Sequence, residues 1–153
     1  MTQSAEYTLQ IAMQLERLGQ TFYQSLAAGC GNAEISALAA KLADDEKKHL
    51  WSFQRMYQAI PIDRCGPKLT EDQLTAAAGK FYKLILPSAE EVRKVAIDGD
   101  ITKVLAMAMQ MESDSIAFYL GMTASPGESA VIKNIVEEEK KHLRMLQEYS
   151  KKP

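Results

Sequence analysis

Two copies of one short stretch carry the residues of this sequence that are best suited to bind a metal ion. The copies span residues 45–50 and 138–143, and each contains a Glu, two lysines and one of the only two histidines in the chain. Side chains three residues apart lie on the same face of a helix, about 5–6 Å from each other, so one carboxylate and one imidazole can bind a single cation. The spacing therefore predicts two metal half-sites, Glu46 with His49 and Glu139 with His142.

Two further glutamates, Glu16 and Glu112, stand on helix faces that should point into a protein core. Their helices carry apolar stripes in register with them, formed by Leu9, Met13 and Tyr23 and by Leu105, Met109 and Tyr119. Each Glu is about as far from the turn of its hairpin, near residue 30 or 126, as the Glu of the following Glu-x-x-His motif. At a rise of 1.5 Å per residue the mismatch is only about 2–3 Å. We therefore expect all four carboxylates and both histidines to meet near the middle of a helical bundle.

The charges of this cluster indicate what it binds. Charged residues surround both Glu-x-x-His motifs, so either motif alone would also fit a solvent-exposed helix face. Four buried carboxylates, however, repel each other, and burying one unpaired carboxylate costs several kcal/mol even after relaxation. Two divalent cations with four carboxylates and two neutral imidazoles sum to zero charge. A carboxylate-rich site with one His per metal suits iron or manganese and also accepts zinc.

Helical periodicity runs through the whole chain and predicts an all-α fold. Four long helices are expected at about residues 4–28, 32–60, 100–123 and 128–150, with Gly29–Asn32 and Ser125–Gly127 as the turns of two antiparallel hairpins. The intervening residues 61–99 contain three prolines and predict one or two short helices, at about 71–85 and 88–96, capped by Thr70 and Ser88. These 39 residues are enough to return along the bundle, so we predict a four-helix bundle with one long crossover.

The hairpins also resemble each other, which indicates an internal duplication. Gln14-Leu15-Glu16 with Phe22-Tyr23 has a counterpart 96 residues later in Gln110-Met111-Glu112 with Phe118-Tyr119, and the Glu-Lys-Lys-His element recurs 93 residues later. We treat residues 1–153 as one domain, with 61–99 as the crossover within it.

Composition excludes several classes of function. A net charge of −2 argues against binding to nucleic acid or to an anionic membrane. The longest apolar runs, such as residues 104–109, are too short to cross a bilayer, and no signal peptide is visible. Cys30 and Cys65 form no CxxC pair and suggest neither a disulfide framework nor a thiolate metal site. These features predict a cytoplasmic protein.

The ligand pattern resembles that of the ferritin-like di-iron carboxylate superfamily, and within it the rubrerythrin-type branch. The Leu-Glu-(x)5-Phe-Tyr signature begins at Leu15, the Ala-(x)2-Glu-(x)2-His signature begins at Ala43, and the likeness covers essentially the whole chain. It implies a ferritin-like four-helix bundle holding two iron ions, in which Glu46 and Glu139 bridge the metals. The implied metal ligands are Glu16, Glu46, His49, Glu112, Glu139 and His142.

The resemblance also implies a function. Such proteins oxidise Fe(II) and reduce hydrogen peroxide or dioxygen, usually as homodimers or larger assemblies. The predicted function is therefore a non-haem di-iron oxidoreductase, a ferroxidase or peroxidase, with O2 or H2O2 as its partner and an external electron donor. A di-iron monooxygenase acting on an organic substrate, and a non-enzymatic module for iron storage or delivery, remain alternatives.

This sequence differs from rubrerythrins in two features that affect the expected oxidation reaction. The chain has no paired CxxC motifs for a rubredoxin domain, and Ser115 stands where rubrerythrins have an extra Glu tied to peroxide reduction. Gly19 is the equivalent position in the first helix, and small residues at both places should leave space for water, oxygen or peroxide. Tyr23, Tyr119 and Gln20 are candidates for hydrogen bonds to the metal ligands.

Overall fold

Five α-helices and one 3₁₀ turn form the computed structural model, which describes residues 5–64, 66–81, 94, 101–122 and 126–152. No strand occurs among these residues, which confirms the predicted all-α class. None of the described helices has both the length and the hydropathy that crossing a membrane requires. The elements are α1 (Ala5–Gly29), α2 (Ala33–Gln58), the 3₁₀ turn (Ile62–Arg64), α3 (Glu71–Phe81), α4 (Ile101–Leu120) and α5 (Pro126–Ser150).

The helix boundaries follow local capping chemistry. The Asn32 side chain accepts hydrogen bonds from the second and third backbone amides of α2, at 3.0 and 3.1 Å, as predicted for an N-cap. At the start of α3, Thr70 Oγ1 accepts from the Gln73 amide and Gln73 Oε1 accepts from the Thr70 amide, a reciprocal capping box. Helix α5 begins at Pro126, two residues earlier than predicted, because proline fits the first turn of a helix. Residue 94 is the one described residue of the predicted helix at 88–96, and it is helical; the predicted cap at Ser88 and the rest of that helix lie outside the described residues.

Antiparallel neighbours surround the core of the bundle. Helix α1 packs along α2, and α4 packs along α5, so the two predicted hairpins are present. Between hairpins, His49 of α2 meets Glu138 of α5, while His142 of α5 meets Asp45 of α2. Higher residue numbers on one helix thus meet lower numbers on the other, so α2 and α5 also run antiparallel.

The crossover returns the chain to the end of the bundle where α2 began. Ile35 near the start of α2, Leu105 near the start of α4 and Tyr149 near the end of α5 line one groove. Because α2 ends at the opposite end, the connection between α2 and α4 must travel the full length of the bundle, as predicted. Helix α3 packs on α1 during this return, and residues 8–16 of α1 are consequently buried without a break.

Apolar side chains fill the bundle above and below an acidic middle layer. Phe53 is fully buried, and its ring lies 5.2 Å from that of Tyr119, centroid to centroid. Leu15, Leu42 and Leu146 are almost fully buried beside them. The same core also encloses four glutamates and two histidines, which make up the site described next.

Candidate metal centre

Six ionisable side chains from four helices converge in the middle of the core. None is more than 5% exposed. Helices α1 and α4 each contribute one Glu, and α2 and α5 each contribute a Glu and a His three residues later. These are the six residues predicted from the sequence: Glu16, Glu46, His49, Glu112, Glu139 and His142.

The six side chains form two overlapping groups, each compact enough for one metal ion. Within each group one ligand atom per residue lies within 4.8 Å of the others. Glu16 and His49 belong to one group, and Glu112 and His142 belong to the other. Glu46 and Glu139 belong to both, so their carboxylates are placed to be shared between two cations.

Both histidines direct Nδ1 into the cluster. His49 Nδ1 lies 2.9 Å from Oε1 of Glu139 and 3.5 Å from Oε2 of Glu16. The two imidazole rings stack with their centroids 5.8 Å apart. His142 Nδ1 lies 3.4 to 3.6 Å from carboxylate oxygens of Glu139, Glu112 and Glu46.

The opposite ring nitrogens contact carboxylates that the sequence reasoning did not assign. His49 Nε2 donates to Oε2 of Glu138 at 2.6 Å, and His142 Nε2 donates to Oδ2 of Asp45 at 3.2 Å. A carboxylate on the far nitrogen fixes the tautomer and the orientation of a metal-binding His. A signal was present in the sequence, because an acidic residue directly precedes the Glu of both Glu-x-x-His motifs.

These two outer carboxylates have different surroundings. Asp45 is held by Lys41 at 2.7 Å and by Lys48 at 3.3 Å, and its side chain is 16% exposed. Burial raises the pKa of Asp45, but the hydrogen bonds from Lys41 and His142 outweigh it and lower the pKa. Glu138 is 50% exposed. The His142 half of the cluster is therefore more tightly braced than the His49 half.

Two buried tyrosines connect the hairpins. Tyr23 of α1 donates from its hydroxyl to Oε1 of Glu112 on α4 at 2.6 Å, and Tyr119 of α4 donates to Oε1 of Glu16 on α1. Each tyrosine thus reaches the terminal Glu of the other hairpin, and α1 and α4 run antiparallel. Gln20 is not brought to the cluster and instead lines an outer groove between α1 and α2.

The absence of a side chain at Gly19 lets the Glu46 carboxylate pack closely against α1. A Cβ atom at this position would lie 3.3 Å from Oε2 of Glu46, so the space expected to admit oxygen or peroxide is taken by a carboxylate. Ser115, at the equivalent position of α4, is buried at 7% exposure.

Electrostatics in the metal-free cluster favour bound protons. Burial raises the pKa of Glu16, Glu46 and Glu112, and repulsion from neighbouring carboxylates raises it further. Burial and Glu46 also raise the pKa of Glu139, but hydrogen bonds from its neighbours outweigh them and lower it. Burial lowers the pKa of His49, but hydrogen bonds to Glu139 and Glu16 raise it to about 12. The pKa of His142 is raised for the same reason.

The cluster fits two divalent cations. Among the described residues, four buried side-chain atoms have no hydrogen-bonding partner, and all of them belong to the predicted ligands: Glu16 Oε2, Glu112 Oε2, Glu139 Oε2 and His142 Nδ1. Buried polar atoms without partners are unfavourable by about 1–3 kcal/mol each, and more when charged. A cation in each group would contact these atoms. The donor set of carboxylates with one imidazole per group is that of iron, manganese or zinc.

We expect metal binding to release protons. A neutral metal-free cluster holds two imidazolium and two carboxyl protons, so two divalent cations should displace about four protons per chain. Metal affinity should consequently rise with pH. Zn²⁺, which is redox-inert, can be titrated into the chelator-treated protein near pH 7 while a pH-stat counts the protons. Release of fewer than about two protons at saturation would contradict the protonated cluster.

The outer carboxylates yield a second prediction. Replacing either with its amide, as in Glu138→Gln or Asp45→Asn, should weaken metal binding by about 10–100-fold, the usual effect of losing a partner that orients a ligating His. The matched control is Glu137→Gln, because Glu137 is an exposed neighbour that pairs only with Lys140 among the described residues. Competition with a chromogenic chelator measures the affinities, and equal affinities in all three variants would refute the orienting role.

Removing one shared carboxylate tests the ligand assignment. Glu46→Ala should abolish most metal binding in both groups. His142→Ala should abolish most metal binding in the group that contains His142. The metal-free Glu46→Ala protein should nevertheless unfold at a higher temperature, by about 2–4 °C for each kcal/mol of repulsion relieved. Metal analysis and calorimetry measure both effects. Retention of two metals per chain by these variants would show the assignment to be wrong.

Comparison with known proteins agrees with this geometry. A crystal structure described as a ferritin-like diiron-carboxylate protein of Thermotoga maritima superposes with a TM-score of 0.77 at 27% sequence identity, covering 98% of this chain and 96% of that one. A search of curated proteins finds no match. The Rubrerythrin family model matches residues 7–150. With its bundle and its buried carboxylate–histidine cluster, this chain belongs to the Rubrerythrin family.

Proposed function

We propose that this protein is a non-haem di-iron oxidoreductase that oxidises Fe(II) with O2 or H2O2. One observation carries the proposal, namely the two overlapping four-residue groups that share Glu46 and Glu139. Such sharing would hold two metal ions side by side, where each could supply one electron to the same oxidant molecule. Iron is the proposed metal, and manganese or zinc would fit the same donors.

The reaction balances with two iron ions. Two Fe(II) ions held by the cluster would supply two electrons, which together with two protons would reduce H2O2 to two molecules of water or O2 to H2O2. Iron leaves this step as Fe(III), so repeated turnover requires either fresh Fe(II) or a reductant. We propose that an external electron donor acts as this reductant.

The surrounding side chains hold the proposed ligands in place. Hydrogen bonds to Glu138 and Asp45 keep a proton on Nε2 of each His, which leaves Nδ1 free to bind a cation. The hydroxyl groups of Tyr23 and Tyr119 each occupy one oxygen of a terminal Glu. The other oxygen of that Glu stays available.

Burial favours a small oxidant. Every proposed ligand is at least 95% buried, so an organic substrate could not reach the ligands without displacing core side chains. O2 and H2O2 are small enough to enter through transient openings of the packing. This supports oxidation of iron by these molecules over hydroxylation of an organic compound.

We also propose that the protein works in the cytoplasm as a homodimer or larger homo-oligomer. Trp51, of which 58% is exposed on α2, is one of several exposed large apolar side chains, with Ile62, Leu120 and Val131, that support an interface. The Arg55 guanidinium lies 4.8 Å from the ring centroid of Trp51. Such an aromatic and Arg pair is typical of protein contact surfaces.

Stopped-flow oxidation tests the activity. Protein loaded anaerobically with two Fe(II) per chain is mixed with O2 or with H2O2, and the near-UV absorbance of ferric iron is followed. We expect oxidation much faster than that of Fe(II) in buffer or with Glu46→Ala. Equal rates with and without the intact cluster would exclude the proposed function, while metal uptake without turnover would indicate storage.

The same assay, applied to Ser115→Glu, tests whether this position affects the relative rates of reaction with H2O2 and O2. An added carboxyl group at this buried position should speed the reaction with H2O2 relative to O2, by up to about 100-fold for a positioned proton donor. Ser113→Glu is the matched control, because Ser113 is exposed on the same helix. Both variants are first checked for two metals per chain. An unchanged ratio of the two rates in Ser115→Glu would contradict a role for this position in oxidant choice.

A further inference from the structure

A second cavity lies outside the metal cluster, between α1, α2 and the segment that leads into α3. It is a groove of about 360 Å³, within the size range of small-molecule sites. None of the six cluster residues lines it. Its function is therefore separate from the proposed oxidation.

The charged groups of this groove are both cationic. Arg17 and Lys68 line it, and no acidic residue of the described part of the chain does. Within the described parts of the chain neither side chain has a hydrogen bond or an ion pair, whereas Lys41, Lys48 and Lys140 each pair with a carboxylate. The groove thus has two positive charges available to a ligand.

Neutral hydrogen-bond donors stand beside these cations. Gln10 is buried at 6% exposure, and its Oε1 accepts a hydrogen bond from the Leu69 amide at 2.7 Å. This bond fixes the side chain while its Nε2 donors have no partner among the described residues. The Nε2 group can therefore donate to an acceptor that enters the groove. The amides of Gln54 and Gln58 also line the groove.

Apolar side chains complete the lining. Met13 and Leu74 are more than 90% buried and Leu69 is half-buried, and all three border the groove. Small-molecule sites commonly combine an apolar surface with a few placed polar groups that fix orientation. A groove lined by apolar side chains, amide donors and cations matches a ligand with an apolar body and an anionic group.

We propose that this groove binds a small organic anion. Its carboxylate, sulfonate or phosphate group pairs with Arg17 and Lys68 and accepts hydrogen bonds from Gln10. Its apolar body lies against Met13 and the two leucines. Such a ligand contacts α1, α2 and the crossover together, so its binding stabilises the folded chain by mass action.

Calorimetric titration of the metal-loaded protein with naphthalene-2-sulfonate tests the proposal, because this probe is a poor metal ligand. We expect one site per chain, with weaker binding at higher ionic strength. Methanesulfonate lacks the apolar body and 2-naphthol lacks the charge, so both should bind at least about tenfold more weakly.

Charge reversal locates the site. Arg17→Glu and Lys68→Glu should each lower the affinity for naphthalene-2-sulfonate by at least about tenfold, the effect of losing a charge-assisted hydrogen bond. Lys133→Glu makes the same charge change on the exposed face of α5 and should leave the affinity unchanged. All variants are checked for full metal content, which separates this site from the metal centre. Absence of saturable binding, or equal losses in all three variants, would overturn the proposal.

Discussion

Four carboxylates buried at one level of a helical bundle are the constraint on which the rest of this structure depends. Desolvation and mutual repulsion make such a cluster unfavourable unless cations or protons compensate it. Burial raises the pKa values of three of the glutamates and the neighbouring carboxylates raise those of both histidines, which favours protons in that role when metal is absent. Two divalent cations would give the same neutrality with the protons removed. Stability, metal binding and pH dependence are thereby coupled at one site.

The duplicated hairpins explain how the cluster is assembled. Each hairpin carries one terminal Glu and one Glu-x-x-His motif, but neither makes a complete environment. Tyr23 and Tyr119 donate to the Glu of the opposite hairpin, and Asp45 and Glu138 likewise bind the opposite His. Because every one of these contacts crosses between hairpins, the ligands are ordered only when the hairpins dock. The two halves are related by approximate two-fold symmetry, which Gly19 and Ser115 break.

Local patterns in the sequence predict much of the fold and of the metal cluster. Helix periodicity, the Asn32 cap and the length of the crossover fix the bundle, and acidic residues on apolar stripes identify the six clustered residues. Contacts between helices were harder to predict, because the sequence shows which face a residue occupies but not its partner. The sequence therefore placed Tyr23 near the ligands but did not indicate that its hydroxyl group reaches Glu112. The packing of Glu46 against Gly19 depends on interatomic distances to within fractions of an ångström, which helical periodicity does not predict.

Metal content per chain is the most direct test of this account. Protein purified without oxygen and without chelator, then supplied with Fe(II) and desalted, should retain two metal ions per chain by elemental analysis. The cluster has two groups that share Glu46 and Glu139, so both positions should fill. Retention of two iron ions per chain is the result that the account predicts. Retention of none, or of a single ion at saturating Fe(II), would contradict a shared two-metal centre.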